Sequence, residues 1–322
     1  MSVAVIIVSY KSAALAIESL RSVQAERAAG GLSIRAVVVD NASGDFPRIT
    51  HAVAENGWSS WVATVLAPRN GGFAYGNNLG IRHALQSGGA DYVYLLNPDT
   101  QVRTGAIATL VRFLESQPRI GIAGSSFENE DGSDWPIAFR FPSLVSELSQ
   151  ALGLGPVMRL LDRWAVARQM SQLEPQPVDW ICGASMMVRA AVLKAIGGLD
   201  EGYFLYFEET DFCLRARRAG FPTWYVPQSR VMHVGGQSTG VTERNTAPRR
   251  LPAYWFDSRR RYFIKAFGIA HAMAIDLAVL ATYPCGWLKR LALRQRHDSV
   301  PHYYRDFIRG SVLRSTHRAR SA

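Results

Sequence analysis

The chain has 322 residues, 48% hydrophobic and 19% charged, with 8 Trp, 12 Tyr and 14 Phe. So much apolar material excludes a disordered or collagen-like chain and suffices for one large domain or two modest ones. The net charge of +10 is concentrated, because residues 246–322 hold fifteen Lys/Arg against four Asp while residues 1–245 are nearly neutral; an anionic partner, whether nucleic acid or the cytoplasmic leaflet of a membrane, would therefore meet the tail.

Val3–Val8 is a short β-branched run, which predicts a strand buried on both faces. Ser12 is placed to cap a helix whose apolar positions Ile17, Leu20 and Val23 fall at helical spacing. Further strands are predicted over Ile34–Val39, Trp61–Ala67 and Tyr92–Leu96, with a helix near Asn78–Gln86. This alternation implies βαβ units and a mostly parallel sheet covered on both faces. Residues 124–178 are less regular, with a mixed helical stretch over Val145–Met170. A strand over Trp180–Val188, a helix over Ala190–Ile196, a helix over Thr210–Ala219 and a strand over Trp224–Val226 follow, and a boundary falls near residue 245.

No segment reads as a targeting peptide or a membrane span. The N-terminal apolar run is only strand-length, and Ala266–Leu288 is interrupted by His271, Asp276 and Pro284. The latter is expected to lie on a surface or be buried in protein. The three cysteines, Cys182, Cys213 and Cys285, show neither disulfide-scaffold nor zinc spacing, which points to a reducing cytoplasm.

Polar residues gather where the strands end: Ser9-Tyr10, Asp40-Asn41, Arg69-Asn70 and Asn97-Pro98-Asp99. In open α/β sheets, ligands bind outside the carboxyl ends of the strands, so this edge is the expected site. In YVYLLNPDT, Asp99 could hold a hard divalent cation against a diphosphate with Asn97 as a neutral helper; the same residues also make an ordinary capped turn. In VVVDNASGD, Asp40 could accept from a ribose hydroxyl or a base N–H, or simply shape a loop. RNGGFAYGNNLG spaces Gly72, Gly76 and Gly80 by four, which bares one helix face for close approach or marks a tight turn. It is neither a Walker A sequence nor a GxGxxG fingerprint. In YFLYFEETDFCLRARRA, Glu208, Glu209 and Asp211 open a helix behind a run of aromatics, where a semi-apolar setting raises a carboxylate pKa toward general-base values; a plain acidic helix terminus is the alternative. His233 follows an apolar stretch and gains meaning only if Asp99 holds a metal.

Taken in order, VAVIIVSY, VVVDNASGD, NGGFAYGNNLG, LLNPDT, FLYFEETDFCLRARRAG and VMHVGG resemble the family 2 glycosyltransferases of GT-A fold, in their bacterial rhamnosyltransferase-like branch. The resemblance covers residues 3–240 and implies a Rossmann-like α/β catalytic domain over 1–245. Its nucleotide-sugar half would be about 1–123 and its acceptor and base half about 124–245, followed by a basic, aromatic-rich helical extension over 246–322. It further implies an inverting, single-sugar transferase of cell-surface polysaccharide synthesis, with a dTDP-, UDP- or GDP-sugar donor, Mg²⁺ or Mn²⁺, and a glycan or polyprenyl-diphosphate-linked acceptor. By residue, it implies Glu209 as the base with Glu208 beside it, Asp99 and His233 as metal contacts, and Ser9, Tyr10, Asp40, Asn41, Asn70, Gly72, Asn77, Asn97 and Asp211 around the donor. The chain departs from the family pattern at Asn97, the first position of the DxD-type motif, and in having Glu where Asp is the commoner base.

Two rival enzymes fit less well. A sugar-phosphate nucleotidyltransferase would want a Gly-rich basic loop after the first strand, where Ser9-Tyr10-Lys11-Ser12-Ala13 stands, and a processive synthase would carry QxxRW. The non-enzymatic alternative is an inactive GT-A-like protein that binds glycan or nucleic acid. The tail mixes its arginines with Trp255, Phe256, Tyr262, Phe263, Trp287, Tyr303 and Tyr304, which suits an interfacial helix at anionic lipid better than nucleic acid; a tail packed on the domain with solvated arginines is the competing expectation. The expected location is the cytoplasm, with the tail as a candidate contact to the inner face of the membrane.

Overall fold

The computed structural model describes residues 1–135, 137–152, 161–234, 249–292 and 300–311. In chain order the strands are β1 (Ser2–Ser9), β2 (Ser33–Asp40), β3 (Val62–Leu66), β4 (Tyr92–Leu96), β5 (Thr100–Val102), β6 (Ile122–Glu128), β7 (Asp134–Trp135), β8 (Ile137–Phe139), β9 (Ala167–Gln169), β10 (Gln176–Val178), β11 (Ser185–Arg189) and β12 (Thr223–His233). The helices are α1 (Ala13–Ala28), α2 (Phe46–Glu55), α3 (Gly72–Gln86), α4 (Ala106–Ser116), α5 (Leu144–Leu152), α6 (Ala190–Ile196), α7 (Glu208–Arg218), α8 (Ala253–Phe267), α9 (Ile269–Ala292) and α10 (Tyr303–Gly310).

One sheet runs β10-β12-β6-β11-β4-β1-β2-β3, with β5 on β12 and β7 on β6. The β4-β1-β2-β3 half is parallel, as the βαβ alternation predicts. Beyond it, β11 runs antiparallel to both β4 and β6, and β6 pairs parallel with β12. Both faces are covered, and β1 shows how: Val3, Val5 and Ile7 enter one apolar core with Leu20, Val38 and Leu110, while Ala4 and Ile6 enter the other with Val39, Ile81 and Met186. Period-two alternation with both sides apolar is what makes these strands read as unbroken hydrophobic runs.

α3 begins at Gly72, six residues before the predicted start, and its glycines permit the close approach. A Cβ at Gly76 would lie 2.6 Å from Val8 Cγ1, and one at Gly80 would lie 2.5 Å from Ile6 Cγ2. Ser12 is the N-cap of α1 but does not cap with its side chain, because its hydroxyl is bonded to Ser9 Oγ (3.1 Å); Asp45 Oδ2 takes the Ala13 N–H instead (3.1 Å).

Other expectations are corrected. Trp180–Ala184 is not strand, because its carbonyls are drawn in two directions: Trp180 O accepts from Phe139 N (3.1 Å) and Ala184 O from Asn97 N (3.1 Å). Only Ser185–Arg189 continues as β11. The mixed helical stretch Val145–Met170 reduces to α5, a 3-10 turn over Asp162–Trp164 and a strand, β9, which pairs with β8; residues 153–160 of it lie outside the described residues. The last strand runs far past Val226, over an irregularity between Val226 and Arg230, to His233. The expected boundary near residue 245 and the two glycines of VMHVGG also lie outside the described residues.

The C-terminal helices form a third apolar core in which Tyr262, Phe263, Ile275, Val279 and Phe307 meet Tyr203 of the preceding part. Not all of their arginines are solvated. Arg259, 3% exposed, bonds Glu147 Oε2 of α5 (2.8 and 2.6 Å) and Asp276 Oδ1 of α9 (2.7 Å).

Candidate active site

Four segments meet at the carboxyl edge of the sheet. β4 ends in Asn97-Pro98-Asp99, and β5 then pairs antiparallel with the end of β12, setting Thr100 opposite His233. The pairing continues as Val234 N–H donates to Asp99 O (3.1 Å). It brings His233 Nε2 to 3.4 Å from Asp99 Oδ1. Asp99 is 6% exposed, and His233 packs against Phe127 (5.2 Å) and lies nearly parallel to Trp135 (6.0 Å). Among the described residues His233 Nδ1 is buried without a hydrogen-bond partner. A buried carboxylate whose neighbour is an imidazole, with that ring otherwise unbonded, fits a divalent cation as two of its ligands. No group of three or more His, Cys, Asp or Glu that could by itself hold a metal ion exists among the described residues, so ligands from outside these side chains would complete the shell of such an ion.

The second element is the turn into α7. Tyr206 and Phe207 both have positive φ (70° and 68°), a left-handed pair of non-glycines of the kind that persists only when its surroundings fix it. Here they do. Phe204 O accepts from Phe73 N (2.9 Å) at the start of α3, and Leu205 O accepts from Ser258 Oγ (2.9 Å) on α8. Gly72, with φ of +86°, leaves no room for a side chain there, since a Cβ would sit 1.9 Å from Phe204 O. The Tyr254 ring of α8 lies 5.2 Å from that of Phe204 and 6.2 Å from that of Tyr206.

Glu208 and Glu209 open α7 directly after this turn. Glu208 is 2% exposed; burial, and then the charge of Glu209, raise its pKa well above the ordinary carboxylate value, against the opposing N–H groups of Glu208 and Tyr206. Burial also raises Glu209, opposed by its own N–H and that of Gly183. Each has an Oε2 with no partner among the described residues. Burial and mutual repulsion both favour a proton on this pair, and Glu208, the more buried and the more strongly raised, favours it more. Burial pushes the Cys182 thiol up to about 12, and the charges of Glu209, Asp99 and Glu208 push the same way. Three carboxylates from two distant parts of the sequence thus lie within electrostatic reach of one cysteine.

The third element is the β1, β2 and β3 edge. Asn41 Nδ2 donates to Asn70 Oδ1 (3.0 Å) and Gly72 O (3.1 Å), and Gly72 N donates to Asn70 Oδ1 (3.1 Å), so these three form one linked floor. Ser9 is buried beneath, its carbonyl accepting from Asn41 N (2.8 Å), while Tyr10 stands exposed at the rim. Asn77 is buried one turn into α3 and donates to Phe73 O (2.9 Å).

Two expected donor contacts have their carboxylates committed inside the protein. Asp40 Oδ1 accepts from Ser43 N (3.0 Å) and Ser43 Oγ (2.5 Å), and Oδ2 from Phe46 N (3.0 Å), so Asp40 builds the loop that enters α2. Asp211 pairs with Arg215 (2.8 Å) and with Lys265 of α8 (2.9 Å), and anchors the C-terminal helices. Gly183, Cys182 and Tyr254 join the site without a sequence signal of their own. A long-range contact, rather than a local motif, brings each of them in.

The family model described as "Glycosyltransferase like family 2" matches residues 1–249. The chain belongs to that family. Its relatives include an N-acetylglucosaminyl-diphospho-decaprenol L-rhamnosyltransferase of Mycobacterium tuberculosis, 37% identical over 152 residues, which are 47% of this chain and 49% of the relative. Rhamnosyltransferase WbbL of Escherichia coli is 27% identical over 165 residues, 50% of this chain and 60% of WbbL. The chain thus spans about half the length of the first of these relatives. Among solved structures, mannosyltransferase PcManGT of Pyrobaculum calidifontis, in complex with GDP-Man and Mn²⁺, matches with a TM-score of 0.55 at 16% identity, over 93% of this chain and 76% of that one. S. aureus TarS 1–349 matches with a TM-score of 0.54 at 13% identity, over 97% and 81%. This family 2 member therefore has the GT-A fold, with its C-terminal helices packed beside it.

Proposed function

We propose that this family 2 member is an inverting glycosyltransferase. It moves one sugar, a deoxyhexose such as L-rhamnose, from a nucleotide-sugar to a hydroxyl of a glycan or polyprenyl-diphosphate-linked saccharide in cell-surface polysaccharide synthesis. The observation that carries this reading is the opening of α7 by Glu208 and Glu209 directly after a turn whose Phe204 carbonyl is seated on Gly72 and Phe73, next to the Asn41–Asn70–Gly72 floor. The rhamnosyltransferase names of the relatives support the donor class, and the decaprenol-linked substrate of the mycobacterial relative supports the acceptor class.

The roles follow from where charge is held. The floor residues and the Tyr10 ring receive the nucleotide and its ribose, beside the loop that Asp40 shapes. Asp99 and His233 would hold a divalent cation, which when bound supplies positive charge to the departing diphosphate. Glu208, the more buried member with the more strongly raised pKa, favours the proton, and Glu209 is assigned the role of base. Glu209 takes the proton of an acceptor hydroxyl as that oxygen bonds to the anomeric carbon and the bond to the diphosphate oxygen breaks. One base and one displacement give inversion, in contrast to the two flanking carboxylates of a hydrolase. Phe204 and Tyr254 offer ring faces on the acceptor side, suited to the apolar face of a pyranose.

The test is a thermal-shift panel of dTDP, UDP and GDP, each with and without Mn²⁺ or Mg²⁺. Saturating ligand at about 100 times its dissociation constant adds roughly 2.7 kcal/mol of stability. One nucleotide is expected to give a metal-dependent shift that Asp99→Ala loses. Glu209→Gln should keep that shift and lose transfer. If no nucleotide shifts the melt, the transferase reading fails and a GT-A-like binding protein takes its place.

A further inference from the structure

The outer face of α9 has a composition that its packing does not explain. Its inner face buries Ala272, Ile275 and Val279 in the C-terminal core. Asp276, 2% exposed, is turned inward to Arg259 (2.7 Å). Apart from His271, the exposed positions on the other side are again apolar: Ile269, Met273, Leu277, Ala281, Cys285 and Leu288 recur every three or four residues down one stripe. Ile269, Leu277 and Leu288 are each more than half exposed (54%, 52% and 56%), and the stripe is extended by exposed Phe267 before it. A helix lying on a soluble protein normally turns charge outward. This one hides its acid and shows hydrocarbon for about 28 Å, at 1.5 Å per residue.

The surrounding charge selects what covers that stripe. Residues 246–322 carry fifteen Lys/Arg against four Asp, and Lys289 and Arg290 fall in the last turns of α9. On the neighbouring helix α10, Arg305 and Arg309 are exposed beside exposed Ile308. A second copy of the chain would bring two such basic segments together, whereas an anionic lipid surface answers both features at once. We infer that α9 lies in the plane of an anionic bilayer, with Ile269, Met273, Leu277 and Leu288 set among the acyl chains and the basic side chains of its flanks among the headgroups. The helix lies in the surface and does not cross it, because its inner face is packed against α5 and α8 and its acid is tied to Arg259. α8, on which α9 packs, also carries Tyr254 to the turn before Glu208, so the lipid face and the acceptor side of the cleft belong to one helical unit. The inference rests on this surface and not on the donor chemistry.

The experiment is flotation of the full chain with phosphatidylcholine vesicles containing phosphatidylglycerol, against phosphatidylcholine alone, at low and high salt. The protein is expected to float with the anionic vesicles at low salt and to be released by salt. M273E/L277E, at exposed positions, should weaken partitioning at least about tenfold with its melting curve unchanged. Should that melt drop, Ala281→Glu on the same stripe serves as the probe, with the same expected loss. Absence of flotation at low salt overturns the inference, as does flotation of the variants equal to that of the parent. A parent that sediments as a dimer without floating, and a variant that is monomeric, would assign the stripe to a second copy and likewise overturn it.

Discussion

Replacing Gly72 with alanine tests how the turn before Glu208 is held. Gly72 has φ of +86°, and its missing side chain is where the Phe204 carbonyl sits, 1.9 Å from an ideal Cβ. An L-residue in the left-handed region costs about 1–2 kcal/mol. Forcing a methyl into a filled space costs about 1–3 kcal/mol more, so Gly72→Ala should lose about 2–5 kcal/mol in all. Gly57 provides the control: its φ is +68° and a Cβ there would meet nothing within 4 Å, so Gly57→Ala should show only the first cost, about 1–2 kcal/mol. Urea unfolding of both variants with equal m-values gives the comparison. Because the displaced atom is backbone of the turn that presents Glu208 and Glu209, Gly72→Ala should also lose transfer activity well beyond the fraction unfolded, while Gly57→Ala keeps it. If the two variants lose the same stability and activity, the idea that Phe204 is seated in the Gly72 notch is wrong.

Two further predictions follow from buried charge. Glu208 has a raised pKa in the fold, so above the ordinary value of 4.5 the native state binds more protons than the unfolded chain and stability falls as pH rises toward the folded value. Over that window the loss is up to about 1.4 kcal/mol per pH unit; Glu208→Gln should flatten it, and parallel melting-temperature profiles for parent and variant would contradict the assignment. Arg259→Leu removes the buried cation shared by Glu147 and Asp276 and should cost about 3–5 kcal/mol. A loss below about 1 kcal/mol by denaturant unfolding would show that the trio is not held as described.

The legible parts of the fold are those whose signal is local. β1, β2 and β4 are buried on both faces and read as continuous apolar runs, and their polar tips mark the binding edge before any contact is known. β6 is missed because Gly124, Ser125 and Ser126 interrupt its apolar run. The reason lies across the sheet, where Tyr94 Oη, Ser185 Oγ, Ser125 Oγ and Ser229 Oγ form a buried chain with links of 2.7 Å. Hydroxyls that satisfy one another are as buried as leucines, but one sequence does not reveal their partners. The same holds in the site. The acid pair can be read from its helix start and aromatic lead-in, whereas His233 acquires its neighbour only through β5–β12 pairing. Asp40 and Asp211 sit in motifs that read as ligand contacts, and only the geometry reveals the Ser43, Phe46, Arg215 and Lys265 groups that already occupy their oxygens.

The turn before Glu208 is clasped from both ends of the polypeptide, by Phe73 N on one carbonyl and by Ser258 Oγ on the next. During synthesis every residue of the sheet, of the floor and of the Asp99–His233 pair precedes the end of β12. The second clasp cannot close until α8 follows. A nascent chain therefore contains every acidic group of the cleft before the second clasp on the turn is available, and the C-terminal helices supply that clasp last.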